Sequence, residues 1–556
     1  MFPMFRKLLA LLLLSAGAVT AQAAICRVAA DGDALADGST WSTATTLPAA
    51  LLEVGCTEIW LKQGLYRAPY DGFAIERPLH LYGGFKGNEA TRAQRATNSR
   101  LTVLTGDIDG DDTVDAQGIV HTPADIVDMP GGNASHVLTI GGLGTEGNGV
   151  YTPANTVIDG LTLTGGNAIT STSYHVYGAG LFCNGNGAGK ECSPRISHVT
   201  FSGNHARFGG GAMTAMAGDG GKSSPEITHS LFTGNTTDGG SGRGGALQFE
   251  GYLGGTIHPR ISQSTFTDLV GDLGAAIYLY ADTVQGSLQL EFSTLEDNTA
   301  TYGVIYGKGV AVNVAHSIIW GTWLGEVIYL EDGDSVAASL GSLSGNYIED
   351  GCTRVEPSAL CAGSPSDIDP ELGPLADNGG PTWTHLPSVG SPVRFVWTCS
   401  AGETDQRGAQ RPTGGDACDA GAVQQSDTIP AAPASFTVGG GEVRQMSLSW
   451  SAVPGAVDYV VEDLTGGGAP VEVCRTSGTE CVFSGLGDAD TRSLRVRALN
   501  ELGASGPTVG GATTYAVAAA APAGAVAIPT LSPVAFGVLV SFLAGIGGFA
   551  VPRRRS

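Results

Sequence analysis

The sequence predicts an all-β protein: a right-handed parallel β-helix, a β-sandwich after it, and a C-terminal transmembrane helix. Three observations carry this. Short apolar segments recur through the middle of the chain, as in Ile196-Ser-His-Val-Thr-Phe201-Ser-Gly-Asn204, Ile227-Thr-His-Ser-Leu-Phe232-Thr-Gly-Asn235 and Ile261-Ser-Gln-Ser-Thr-Phe266-Thr-Asp-Leu269. Weaker copies are Val157 to Leu163, Leu295 to Asn298 and Val314 to Ile319, and the aligned apolar residues lie 38, 31, 34, 29 and 24 apart. A unit that short, with no helical period, cannot bury its apolar side alone; stacking units into a solenoid does so. Gly makes up 84 of 556 residues without the three-residue period of collagen, which fits turns and short strands. Finally, Pro533 to Val551 is apolar and is followed by Arg553, Arg554 and Arg555. About 19 apolar residues just span a bilayer.

The chain begins with a signal-peptide pattern over 1–23. Arg6 and Lys7 are the positive region, Leu8 to Leu14 the apolar core, and Ala21-Gln22-Ala23 the cleavage site. Export agrees with the ten cysteines, which fall in neighbouring pairs. Disulfides Cys26/Cys56, Cys183/Cys192, Cys352/Cys361, Cys399/Cys418 and Cys474/Cys481 are expected, each worth about 2–3 kcal/mol. The competing reading, a metal site, lacks a C-x-x-C and a His at zinc spacing. Lys plus Arg total 29 against 53 Asp plus Glu. Without the five basic residues of the two ends, 24 stand against 53, a formal −29. A nucleic-acid surface needs a basic footprint, so that partner class is excluded.

Residues 24–130 read as an N-terminal cap and first coils, and 131–351 as the β-helix repeats. Val199 and Phe201 alternate with Thr200, as a strand with one buried face requires. Gly-rich turns lead into a second apolar strand in each unit, at Gly178-Ala-Gly-Leu181, Gly210-Gly-Ala-Met213, Gly244-Gly-Ala-Leu247, Gly274-Ala-Ala-Ile277 and Gly303-Val-Ile305. Asn204, Asn235 and Asn298 recur after a buried aromatic or Leu. Asn there tolerates a left-handed turn, and its amide bonds to its counterpart one coil away. The paired F-x-x-N and G-G-A-[ILM] motifs resemble the repeats of chlamydial polymorphic membrane proteins and related bacterial surface proteins, and the resemblance implies a parallel β-helix of the pectin lyase-like kind.

Residues 352–425 resemble the choice-of-anchor Q module through Asp369-Pro370, Leu372-Gly-Pro-Leu375, Asp377-Asn-Gly-Gly-Pro381, Asp405-Gln-Arg-Gly408, Arg411-Pro412 and Cys418-Asp-Ala-Gly-Ala422. That resemblance implies a segment closing a β-helix. A linker, 426–433, follows. Residues 434–515 resemble a fibronectin type III domain, with Leu448-Ser-Trp450 supplying the core Trp and Leu494 to Asn500 alternating apolar and polar. Arg492 stands where the corner Tyr usually lies. An Ala/Pro spacer, 516–527, leads to 528–556. There Ile528-Pro529-Thr530-Leu531, the apolar helix and the stop-transfer arginines Arg553 to Arg555 resemble the IPTL-type sorting signal of Gram-negative bacteria. This implies an exosortase-like sorting enzyme as partner, transient residence in the inner membrane, and delivery to the cell surface. The Trp that usually follows the motif is absent from Ser532 to Phe536. A plain C-terminal anchor is the other reading.

Candidate chemistry is sparse. His198, His229 and His316 share one column with Gln263 between, read as a stacked ladder on an outer surface that lines a glycan groove in the alternative reading. Asp107, Asp109, Asp111 and Asp112 are carboxylates at close spacing that suit Ca²⁺ as the one candidate cofactor, although Asp112 and Gly118 stand where an EF-hand needs Gly and Glu. The competing reading is an acidic surface turn. No catalytic residue is singled out: the acid pair of a glycosidase is not evident in the repeats, and the Gly-rich runs lack a P-loop ending. The expectation is an exported, cell-surface, non-catalytic β-helix protein for adhesion or contact with extracellular polysaccharide or a neighbouring or host surface. The alternatives are a polysaccharide lyase or glycoside hydrolase on the same scaffold, and a purely structural envelope component. Fold alone does not decide among them.

Overall fold

A computed structural model describes residues 24–127, 132–170, 174–322, 324–363, 365–388, 390–398, 403–412, 417–426, 428–440, 445–487, 491–500, 502–509 and 515–516. The leader with Ala21 and Ala23, the apolar C-terminal segment, Ile528 to Leu531, Arg553 to Arg555, and Cys399 lie outside the described residues. Among the described residues no helix is long and apolar enough to cross a membrane.

Each coil of the middle region follows one circuit. Arg195–Ser197 lies in a first sheet (S1), Thr200–Ser202 in a second (S2), His205–Ala206 in a short one, Met213–Ala217 in a third long sheet (S3), and Lys222–Ser223 in another short one. Glu226–Thr228 then pairs in parallel with Arg195–Ser197 and begins the next circuit. S1 stacks ten parallel strands, and S2 and S3 stack nine each. This is a parallel β-helix. The register matches the repeat spacing residue for residue: Leu163 pairs with Phe201, Phe201 with Phe232, Phe232 with Phe266, Phe266 with Leu295, and Leu295 with Ile319. One apolar core runs from Cys26 to Val355. At its centre Phe201, Phe232 and Phe266 stack at 4.9 and 4.5 Å between centroids, fully buried. A short helix, Leu47–Leu52, buries Leu47, Ala50 and Leu51 against the first coils.

Two polar files lock successive coils. Asn204 Nδ2 donates to Asn235 Oδ1 at 2.9 Å, as the sequence suggested. The left-handed residue, however, is the one before the Asn: Gly203, Gly234, Asp268 and Asp297 have φ of 61°, 62°, 55° and 55°. A Cβ on Gly234 would lie 1.9 Å from the His121 carbonyl oxygen, so the turn there needs Gly. The Asn instead points inward to satisfy buried amides. The second file is serine. Ser230, Ser264, Ser293 and Ser317 each accept from the backbone N of the preceding coil, at 3.3, 3.2, 3.4 and 3.1 Å.

Residues 436–440, 446–450 and 480–483 form one antiparallel sheet, and 458–463, 471–476, 494–500 and 503–504 another. They sandwich a separate core around Trp450, Tyr459, Val461 and Val496. Tyr459 Oη accepts from Val453 N at 2.7 Å, and Arg492 pairs with Asp463 at 3.3 Å. Disulfides join Cys26–Cys56, Cys183–Cys192, Cys352–Cys361 and Cys474–Cys481. Cys418 is also disulfide-bonded. Disulfides persist in oxidising compartments, which fits an exported chain.

Candidate functional site

The histidine column sits at the single-residue turn between S1 and S2. His198, Gln263 and His229 have φ of 53°, 43° and 51°, Phe292 45° and His316 54°. Phe292, which the sequence reading missed, completes the file between Gln263 and His316. The column is not an open ladder. Described residues of the segment after 370 return along the side of the helix and lie against His229, Phe292 and His316. His229 Nε2 lies 3.1 Å from Thr404 Oγ1, and its carbonyl accepts from Thr382 Oγ1. Phe292 lies 4.5 Å beneath the Arg411 guanidinium, and His316 stacks on Trp397 at 4.2 Å. Burial lowers His229 to about 3 and His316 to about 4. His198 is paired with a carboxylate, Asp159, at 3.1 Å. Burial works against the Asp159 charge, but Arg95 and His198 hold its carboxyl below the ordinary range.

Covering segments also explain the outward threonines of S2. Thr162, Thr200, Thr265 and Thr294 face away from the core yet are buried: Thr162 and Thr200 bond to Ser99, whereas Thr265 Oγ1 donates to Gln406 Oε1 at 2.6 Å and Thr294 Oγ1 accepts from Ala422 N at 3.0 Å. Within the returning segment, Asp405 pairs with Arg407 at 2.9 Å, and Arg411 donates to the carbonyls of Asp419 and Gly421 at 3.0 and 2.8 Å. These side chains are buried and bonded to the segment itself, so their role is to hold its shape. Glu296 and His385 also meet beneath it, at 3.0 Å. Burial, then the charges of Asp297, Asp369 and Asp268, push the Glu296 carboxyl up to about 8.

Asp107, Asp111 and Asp112 bring one carboxylate oxygen each within 4.8 Å of one another; Asp109 is not among the three. Asp107 is paired with Arg67 at 2.8 Å and accepts from Gly110 N at 2.7 Å. Asp112 accepts from Val127 N and Asn133 Nδ2, both at 2.8 Å. Burial pushes Asp112 up. Ca²⁺ takes six to eight oxygens. Three carboxylates supply part of such a set, and two of them are already engaged, Asp107 by Arg67 and Gly110 and Asp112 by Val127 and Asn133.

Two further outer faces carry candidate side chains. On S1, Glu226, Thr228, Arg260, Ser262, Gln289 and Glu291 line a groove of about 480 Å³. Arg195 pairs with Glu226 at 3.2 Å at its edge. On S3, the register carries Gln248 to Tyr278, Tyr278 to Tyr306 and Tyr306 to Tyr329. The rings stack at 5.3 and 5.5 Å with planes within 9°. Each ring covers its neighbour's face, so Tyr278 and Tyr306 are buried and the half-exposed Tyr329 ends the file. Tyr302, 46% exposed, meets Tyr329 edge-on at 5.7 Å and offers an open ring. The parallel file reads Glu250, Tyr280, Lys308, Glu331, with Arg243 paired to Glu250 at 2.9 Å.

No family model matches the chain. Among solved structures, the chain is similar to the crystal structure of FN3tt, at 23% identity over 17% of this chain and 99% of that one, with a TM-score of 0.16. It is also similar to the solution structure of the fourth FNIII domain of a human protein, at 20% identity over 19% of this chain and 95% of that one, with a TM-score of 0.15.

Proposed function

We propose that this is an exported, non-catalytic surface protein whose β-helix contacts extracellular glycan through S3. The observation that carries the reading is the half-exposed end of the tyrosine file, Tyr329, with its open neighbour Tyr302. Accessible aromatic rings side by side on successive coils suit a polymer that runs along the helix axis. The leader, the IPTL-type tail and its exosortase-like partner, the choice-of-anchor Q-like segment and the fibronectin type III-like sandwich support display at the surface of a Gram-negative bacterium, the sandwich serving as a spacer. Polysaccharide affinity electrophoresis of the full chain against Tyr302→Ala and Tyr329→Ala variants tests it. Retardation by at least one surface polysaccharide, lost in both variants, is the expected result; unchanged retardation in both overturns it.

A depolymerase is the second reading, favoured by Glu226, Arg260 and Glu291 in the S1 groove. Register weakens it. Glu226 and Glu291 lie two rungs apart, roughly 10 Å along the axis at about 4.8 Å per rung, and Glu226 is engaged by Arg195. An inverting pair stands at about 6.5–9.5 Å and a retaining pair closer.

A further inference from the structure

The C-terminal end of the S3 face has a charge that its aromatic rings alone do not specify. Glu331 lies in register with Lys308, and their side chains are 3.9 Å apart, so the one lysine there only grazes it. Tyr329 is paired in register with exposed Glu356. Burial first, then the charges of Glu331, Glu326 and Glu356, raise the Tyr329 phenol. Next to it, burial and then Asp334, Asp282 and Glu250 raise Tyr280. Against these six carboxylates stand Lys308 and Arg243, and Arg243 is held by Glu250.

These carboxylates are spread over successive coils. Among the described residues, the only three acidic groups gathered closely enough to chelate an ion are those of the 107–112 turn, on another part of the molecule. A small metal ion is therefore not what this face fits. Dispersed negative charge, an exposed aromatic ring and the half-exposed Tyr329 beside it fit a large cation that repeats and also offers hydrogen-bonding groups. A neutral glycan would leave the charge unused, and a uronate would be repelled by it.

We propose that Glu326, Glu331 and Glu356, with Tyr302 and Tyr329, bind a polysaccharide bearing free amino groups, such as a de-N-acetylated hexosamine polymer. The ammonium groups sit between the carboxylates and over the Tyr302 ring, and the sugar hydroxyls meet the Tyr329 edge. This rests on the glycan reading above and narrows it to one chemical class.

The test is isothermal titration of the full chain in mild detergent, under mildly acidic conditions that keep the amines protonated. The probes are a β-1,4-linked glucosamine hexamer, its N-acetylated counterpart, a galacturonate hexamer and a lysine hexamer. The glucosamine hexamer is expected to bind about tenfold or more tighter than the other two sugars. Glu331→Gln with Glu356→Gln should weaken it about tenfold, as two exposed pairs at up to about 1 kcal/mol each imply, and added salt should weaken it further. Both changes are on exposed or half-exposed side chains, and Glu226→Gln on S1 should leave binding unchanged. Equal or tighter binding of the N-acetylated or uronate probe overturns the amine specificity while leaving the glycan reading standing. Binding of the lysine hexamer without the glucosamine hexamer overturns it in favour of a basic peptide. Binding of none of the sugars overturns both.

Discussion

Asn235→Ala should loosen the stack more than Asn298→Ala, although both remove a buried amide from the same file. Asn235 Oδ1 accepts from Asn204 N at 3.2 Å and from Asn204 Nδ2 at 2.9 Å, and its own Nδ2 donates to Phe201 O at 2.9 Å. Asn298 Oδ1 accepts only from Leu269 N, at 3.2 Å, and its Nδ2 donates to Phe266 O at 3.1 Å. Leu269 occupies the coil before Asn298 and has no amide to offer. Either change orphans one buried backbone N–H, which costs about 1–3 kcal/mol. Asn235→Ala also loses the side-chain bond between coils, about 1 kcal/mol more. The expectation is about 2 kcal/mol for Asn298→Ala and about 3 kcal/mol for Asn235→Ala. Hydrogen exchange read by mass spectrometry on peptides over 199–206 and 231–238 for Asn235→Ala, and over 264–271 and 294–301 for Asn298→Ala, measures the local opening energy, which suits a solenoid where coils unfold semi-independently. An equal or larger effect at Asn298, or less than about 0.5 kcal/mol at both, would refute the ladder.

Phe232→Ala should cost about 3–5 kcal/mol, because a fully buried ring between two stacked neighbours is removed; urea unfolding checks this, and a loss below about 1 kcal/mol contradicts the core described. His229 has a folded-state value of about 3, below the ordinary value of about 6.5, so the unfolded chain takes up the proton first and stability falls as pH drops below about 6.5. Between pH 7.5 and 5 the wild type should lose about 2 kcal/mol relative to His229→Gln; Gln263 already holds the same left-handed turn one coil on. Parallel unfolding curves for the two proteins across that range would contradict the buried neutral imidazole. Mass spectrometry of surface-exposed protein should find a C-terminus upstream of Arg555; an intact Arg555 there refutes processing of the tail.

The coil register was legible in the sequence because each turn of the helix must set one apolar residue over the last. The 38, 31, 34, 29 and 24 spacing is that constraint written out, and loops of different length do not disturb it. The tyrosine file was within reach by the same logic. Ile277 and Ile305 were aligned through their Gly-rich turns, and the next residue in each is Tyr278 and Tyr306. The serine file was likewise present in the repeats at Ser230, Ser264 and Ser317 but was not separated from the apolar signal around it. Phe292 escaped because its coil lacks the Ile-x-His signature, and only the register with Gln263 and His316 assigns it. The return of residues 370–425 over S2 was not legible, since it depends on long-range packing. Its trace in the sequence is chemical. Thr265 and Thr294 are polar positions on a face that an exposed solenoid could fill with charge, and they are buried because the returning segment bonds to them. The histidines were assigned to a solvent-facing column for the same reason: sequence gives the column and not what lies on it.

Binding and chain cleavage measured side by side on one polysaccharide test the central claim most directly. The full chain should retain a surface polysaccharide without shortening it, and Tyr302→Ala and Tyr329→Ala should abolish retention. Shortening of the polymer that disappears in Glu226→Gln, with retention untouched by the tyrosine changes, would place the function in the S1 groove and contradict the account.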